Sequence, residues 1–347
     1  MILGRMDAWR EEAPCVEEIK LWQGRTAPEA PIPAHRAQAV CYGYMICREK
    51  HLPEVGVRVV YVDRRGKERA VFEETLSTED CGRLFDELVR AFAAREKLRR
   101  AHTAARNASL AAMTFPYPAY RAGQREMAVQ VYTAIKLKKR LFADMPTGTG
   151  KSSATLFPAL KALGEGLTGQ VYYLTARTTQ RTAALEAVAR MREQPLTLWV
   201  LTLDAKDRQC PHRTVCHPDW CPRAKGHFLR DNDALTEMLH VQDWSPEAVR
   251  AMAEKHTLCP FEFSLLLAEL ADVVICDYNY AFDPAVHLQR IFDHTGNVTL
   301  LTDEAHNLLS RARDMLSGVV DAPKLRRMRT VVGKAAGRKH PLYQALT

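Results

Sequence analysis

Between Val57 and Asp63 extended, β-rich positions alternate with polar ones, as Val57-Arg58-Val59-Val60-Tyr61-Val62-Asp63. The turn residues Arg64-Arg65-Gly66-Lys67 and a second extended stretch, Glu68 to Glu73, follow, which predicts a β-hairpin. After about Thr78 the period changes. Leu84, Phe85, Leu88, Val89 and Phe92 are spaced for one face of a long helix ending near Met113. Phe115-Pro116-Tyr117-Pro118 breaks it and marks a boundary. Beyond it, apolar strands at Leu141–Met145, Val171–Thr175, Leu198–Leu203, Val273–Asp277 and Val298–Asp303 alternate with helical stretches. That alternation predicts an α/β fold with a parallel sheet. Between Asp204 and Phe263 the rhythm stops: four cysteines, several prolines and no clear strand read as an inserted subdomain.

Composition narrows the class. The 347 residues are 47% hydrophobic and 26% charged, enough apolar content for two or three folded domains. No apolar run reaches the ~18 residues of a membrane span, and the opening Met1-Ile2-Leu3-Gly4-Arg5 has no secretory pattern, so a cytoplasmic location is expected. Nine cysteines, an odd number, argue for reduced thiols rather than a disulfide scaffold. The net charge is +8, and from Arg311 to Thr347 nine Lys/Arg face two acids. That tail suits either a solvated helix or a phosphate-neutralising face.

The chemistry begins at Leu141–Met145, which runs into Pro146-Thr147-Gly148-Thr149-Gly150-Lys151-Ser152 and a helical stretch from Ser153 to Leu163. This is a phosphate-binding loop with Met145 in place of the first glycine. Backbone amides and a helix N-terminus would cradle ATP, Lys151 would reach the β/γ-phosphates and Ser152 would ligate Mg²⁺. The strand Val298–Thr302 delivers Asp303-Glu304-Ala305-His306. Asp303 can hold Mg²⁺ through water, and Glu304 can orient and deprotonate the attacking water. The Asp-Glu-Ala-His spelling is that of superfamily 2 helicases. Tyr120-Arg121-Ala122-Gly123-Gln124 resembles the adenine-contacting motif of that group, with Arg121 and Gln124 as candidates. Tyr173-Leu174-Thr175-Ala176-Arg177-Thr178 stands where such helicases place a DNA-contacting motif.

Cys210, Cys216, Cys221 and Cys259 are separated by five, four and thirty-seven residues, and three of them precede proline. By spacing alone these thiols suit a [4Fe–4S] cluster, a zinc site with His212 or His217, or no metal at all. Together with the ATPase motifs and Asp277-Tyr278-Asn279-Tyr280, the chain from about Phe115 to Arg313 resembles the XPD/DinG family of iron–sulfur DNA helicases. The resemblance implies a RecA-like motor fold and a cluster on those four cysteines. It also implies action on single strands and fork duplexes, with 5′→3′ movement, in DNA repair or replication. Cys15, Cys41, Cys47, Cys81 and Cys276 read as buried thiols.

Near the N-terminus, Asp7 precedes Glu18-Ile19-Lys20, and Gln38 and Tyr42 lie four apart on a helical stretch. This resembles the RecB-like branch of the PD-(D/E)XK nucleases, which gather carboxylates on a metal with a lysine beside the phosphate. Only six residues precede Asp7, so the leading helix of such nucleases is expected to be missing and cutting to be weak. After Asp303 only 44 residues remain, too few for a second RecA-like domain, so the isolated chain is expected to be weakly active at most. The expected division is a partial restriction-endonuclease-like α/β domain at 1–112 and a RecA-like motor at 113–310. The motor would carry an iron–sulfur insertion at about 204–263, and a basic segment at 311–347 would open an arch-like region. Two rival functions remain: a DNA-binding module with an ATP-dependent switch, and a nuclease assisted by the motor.

Overall fold

A computed structural model describes residues 4–22, 24, 26–146, 148–176, 178–212, 216, 220–292, 297–318 and 321–347. Its strands are β1 (Ala8–Arg10), β2 (Cys15–Leu21), β3 (Glu54–Val62), β4 (Glu68–Ser77), β5 (Gln170–Thr175), β6 (Val200–Thr202), β7 (Asp243–Trp244), β8 (Val273–Asp277) and β9 (Val298–Thr302). The chain forms two compact units. One joins the residues up to Met113 with Pro195–Ala271; the other joins Thr114–Gln194 with Asp272–Thr347.

In the first unit β1 to β4 form one sheet in chain order. β1 runs antiparallel to β2, β2 parallel to β3, and β3 antiparallel to β4. The β3–β4 hairpin closes as its residue types require. Asp63 Oδ1 accepts from the amides of Arg65 and Lys67, and Gly66 supplies the left-handed φ of +77°. The parallel β2–β3 pair needs a crossover, supplied by the helix Pro33–Lys50, which starts with proline at its first turn. Val16, Val57, Val59 and Tyr61 on the sheet and Ala39, Val40, Ile46 and Cys47 on that helix form the core between them. The helix Thr78–Ala112 is capped by Ser77, whose Oγ accepts from Asp80 N at 3.0 Å.

The division at Met113 differs from a simple N-terminal domain, and the reason is visible in the packing of that helix. Its far end buries Leu110, stacks His102 on Trp199 with ring centroids 3.4 Å apart, and offers Ser109 Oγ to the Thr197 amide. Trp199 stacks in turn on Trp244, so residues 195–271 belong to the same compact unit as the N-terminal sheet. Here the expected strand β6 pairs in parallel with β7, a two-residue strand inside the Asp204–Phe263 stretch expected to be strand-free.

In the second unit β5 lies between β8 and β9, parallel to both, with Val171 opposite Val273 on one side and Thr299 on the other. Residues 171–175 are all buried, as a central parallel strand requires. The helix Lys151–Gly164 packs against the helices Gln124–Lys136 and Thr178–Met191. One sequence expectation fails. Leu141–Met145 is not a strand: among the described residues it joins no ladder, although β9 ends the sheet with a free edge, and Phe142 projects 90% exposed rather than into the core. The other expected strands stand, with Leu198–Leu203 shortened to β6. Among the described residues no helix is long and apolar enough to cross a membrane.

Candidate nucleotide-binding site

The loop before the helix Lys151–Gly164 is shaped by two left-handed glycines, Gly148 and Gly150, each with φ +79°. Gly150 is the helix N-cap and, lacking a side chain, offers the first-turn amides no capping bond of its own, so they remain available to an anion. A Cβ at Gly150 would also meet Gln124 Nε2, so a side chain there would push the Gln124 amide away from the loop carbonyls it bonds, on top of the strained φ.

Arg121 and Gln124 brace this loop. Gln124 is buried; its Nε2 donates to the carbonyls of Thr149 (2.7 Å) and Gly150 (3.3 Å), and its Oε1 accepts from Arg121 N. Arg121 Nη1 donates to Gly148 O at 2.6 Å. Pro146 O accepts from Thr149 Oγ1 at 2.8 Å. In this geometry the two residues assigned to adenine hold the phosphate loop's own backbone. Thr147 lies outside the described residues, as do Arg177 and His217.

The catalytic candidates converge on the same end of the sheet. Lys151 Nζ lies 2.7 Å from Glu304 Oε1, and both side chains are about one-quarter exposed. Glu304 stands just past β9 with a left-handed φ of +51°, a conformation costing a non-glycine residue about 1 kcal/mol. The Lys151 ammonium holds the Glu304 carboxyl below its ordinary range. Burial pushes the Asp303 carboxyl up, reinforced by the charge of Glu304, while the Tyr173 hydroxyl favours its ionised form. His306 Nδ1 lies 3.4 Å from Glu304 Oε2, and Asn307 Nδ2 reaches both His306 Nε2 and Glu304 O at 3.1 Å. Asp303 N is bonded to Leu174 O, and the Tyr278 hydroxyl donates to Asp303 O, so the backbone carrying both acids is held from two directions. Hard oxygen donors at Ser152 and Asp303 suit Mg²⁺.

The sequence places Tyr173 in a DNA-contacting motif and Tyr278 in a family motif rather than at the nucleotide site, and it leaves Asn307 unassigned. Tyr173 left a usable signal, a phenol inside a strand buried on both faces. Arg311, also unassigned, pairs with Asp277 at 3.5 Å and donates to Ala176 O.

The cysteines of residues 195–271 are less assembled. Cys259 is the N-cap of the helix Pro260–Ala268, and its amide donates to His227 Nδ1 at 3.3 Å. Burial pushes the Cys259 thiol up, and the thiol of Cys216 lies near enough to add to that shift. Lys206 hydrogen-bonds Cys216. Arg223 donates to Ala253 O and Leu258 O, and Arg230 spans Pro222 O, Lys225 O and Thr257 O. These two arginines tie the turn after Cys221 to the segment leading into Cys259. Among the described residues no three His, Cys, Asp or Glu side chains gather closely enough to hold a metal. Cys276, by contrast, is fully buried in β8, as expected of a core thiol.

In the N-terminal sheet the antiparallel register pairs Ala8 with Glu17, so its next position sets Asp7 opposite Glu18. Asp7 Oδ2 accepts from Ile19 N at 2.8 Å, and Glu18 pairs with Lys20. Glu18 is 1% exposed, and its Oε2 has no hydrogen-bond partner. Tyr42 lies against Gly4, and Gln38 sits one turn earlier on the same helix. His35 joins this group through Tyr61, 3.0 Å away, and burial with the nearby Lys20 holds its pKa below the ordinary value.

Comparison with known proteins bears on residues 175–325, which match the DEAD_2 family model. Over 100 residues, 28% of the chain, it is 34% identical to the Fanconi anemia group J protein homolog of Gallus gallus. Over 246 residues, 56% of the chain, it is 22% identical to the regulator of telomere elongation helicase 1 of Rattus norvegicus. The matched stretches span only 8% and 19% of the length of those two relatives. Among solved structures, an XPD helicase overlaps 62% of this chain and 37% of its own, with a TM-score of 0.44 and 15% identity. A truncated XPD overlaps 63% of each chain, with a TM-score of 0.45 and 17% identity.

Proposed function

We propose that this chain carries the ATP-binding site of an XPD-like DNA helicase, which couples ATP hydrolysis to strand separation in DNA repair. The observation that carries the reading is the convergence of Lys151 and Ser152 with Asp303 and Glu304 at one end of a parallel sheet, within a chain that matches DEAD_2. The open amides of the helix N-terminus and the Lys151 ammonium receive the phosphates. Mg²⁺, when bound, neutralises phosphate charge between Ser152 and Asp303. Glu304 orients the attacking water and takes its proton, a role suited to a carboxylate kept ionised by its surroundings. Single-stranded and forked DNA are the proposed substrates, with 5′→3′ movement.

Hydrolysis stimulated by single-stranded DNA tests this in the polypeptide encoded by the whole reading frame. Glu304→Gln is expected to keep ATP affinity within about threefold while lowering turnover by at least ~100-fold, because the general base acts on water and not on the bound ground state. Turnover unchanged by that substitution would exclude the mechanism.

A [4Fe–4S] cluster on Cys210, Cys216, Cys221 and Cys259 belongs to the same proposal. The donor chemistry fits, and the Arg223 and Arg230 staples support a closed arrangement of the last two.

A second activity has its own supporting observation. Asp7 accepts from the Ile19 amide of β2, Glu18 pairs with Lys20 on that strand, and Glu18 keeps an unpartnered buried oxygen. We infer a divalent-metal site of nuclease type there. Mn²⁺ binding followed by electron paramagnetic resonance is expected in wild type and not in Glu18→Gln. Cleavage of single-stranded DNA that survives Lys151→Ala but not Asp7→Ala would assign the cutting to this site. Equal Mn²⁺ binding by wild type and Glu18→Gln would remove it.

A further inference from the structure

Tyr173 is 2% exposed in the middle of β5, yet its hydroxyl is far from idle. It lies 3.1 Å from Ser152 Oγ, and the Asp303 carboxylate is near enough to act on it electrostatically. Those two partners come from different elements, the first turn of a helix and the residue after β9. Either hydroxyl of the Tyr173–Ser152 pair can donate; because a carboxylate only accepts, a phenol proton turned to Asp303 leaves the phenol oxygen to accept from Ser152. Donating its proton that way leaves both lone pairs of Ser152 Oγ available to a cation. Asp303 likewise keeps its remaining lone pairs for a cation-bound water. The ring itself cannot drift, because β5 is bonded on both sides and packed on both faces.

We propose that Tyr173 is a positioning residue for the divalent cation of the nucleotide complex, a single phenol that fixes the rotamer and proton direction of Ser152 and the orientation of Asp303 together. The inference rests on the ATP-site reading above. Its signature is selective: the hydroxyl matters when Mg²⁺ accompanies the nucleotide, and not when the nucleotide binds alone.

The test measures the affinity of a fluorescent, non-hydrolysable ATP analogue in Mg²⁺ and in EDTA, for wild type, Tyr173→Phe and Tyr172→Phe. Tyr173→Phe is expected to lose about tenfold or more in Mg²⁺, the usual consequence of removing a group that orients a metal ligand, and nothing in EDTA. Tyr172→Phe, its strand neighbour, is expected to match wild type in both. An equal loss of Tyr173→Phe in both conditions would make the hydroxyl merely structural and overturn the proposal; so would no loss in Mg²⁺. Wild type that binds in neither condition would instead overturn the ATP site itself. Should Tyr173→Phe fold poorly, 3-fluorotyrosine at position 173 in the otherwise unaltered chain gives the answer. Its fluorine resonance should move when Mg²⁺ is added to the analogue complex, and a resonance that stays still overturns the proposal.

Discussion

Lys151→Ala is expected to weaken ATP binding by about 100-fold, some 3 kcal/mol, the upper range for a hydrogen bond to a charged group. Two effects add. The ammonium that would neutralise the β/γ-phosphates is gone, and Glu304, now 2.7 Å from nothing positive, is left as a bare carboxylate beside the phosphate seat. Attraction is replaced by repulsion. Isothermal titration calorimetry of wild type and variant measures the difference. Adding Glu304→Gln to Lys151→Ala should recover part of the loss, since it removes the repulsive member only. Equal affinity of wild type and Lys151→Ala would sink the phosphate-loop assignment.

The second large effect is expected at the cysteines. Protein purified without oxygen should be brown and contain about four irons per chain if four thiolates hold a cubane cluster. Serine at any one of Cys210, Cys216, Cys221 or Cys259 should remove the colour and the iron, because three thiolates leave one iron without its protein ligand. The backbone should loosen with it. Arg223 and Arg230 staple the Cys221 turn to residues 253–258, but Cys216 sits exposed with Lys206 as its partner. A ligand supplies folding energy that such contacts do not replace. Limited proteolysis should therefore cut between Asp204 and Phe263 sooner in each variant than in wild type. Stoichiometric zinc and no iron after anaerobic reconstitution would favour the zinc alternative.

The site was legible in the sequence to the extent that its chemistry is local. Gly148, Gly150, Lys151 and Ser152 are neighbours, so one turn of chain reveals the phosphate loop. Asp303 and Glu304 declare themselves by sitting at the end of an apolar strand. The phenol of Tyr173 joins Ser152 to Asp303 only because β5 and β9 run side by side with Tyr173 opposite Leu301, a register that no spacing rule contains. The same limit explains Leu141–Met145. An apolar stretch announces that it could be a strand, but not whether its backbone joins a ladder. The helix from Thr78 was equally clear, while the stacking of His102 on Trp199 joins positions about a hundred residues apart, and that stack ties residues 195–271 to the first unit. For the cysteines the sequence carries the donors and their order; their geometry depends on tertiary contacts such as Arg230 with Thr257.

The Lys151–Glu304 ion pair gives the Lys151 ammonium of the proposed nucleotide seat a partner from the chain itself. An arriving phosphate competes with a carboxylate for the same ammonium, so binding is an exchange of partners and its net gain is smaller than the bare attraction. The exchange also sets an order of events. On the proposed reading, Glu304 stays paired with Lys151 until a phosphate takes the ammonium, so nucleotide binding would itself release the proposed base.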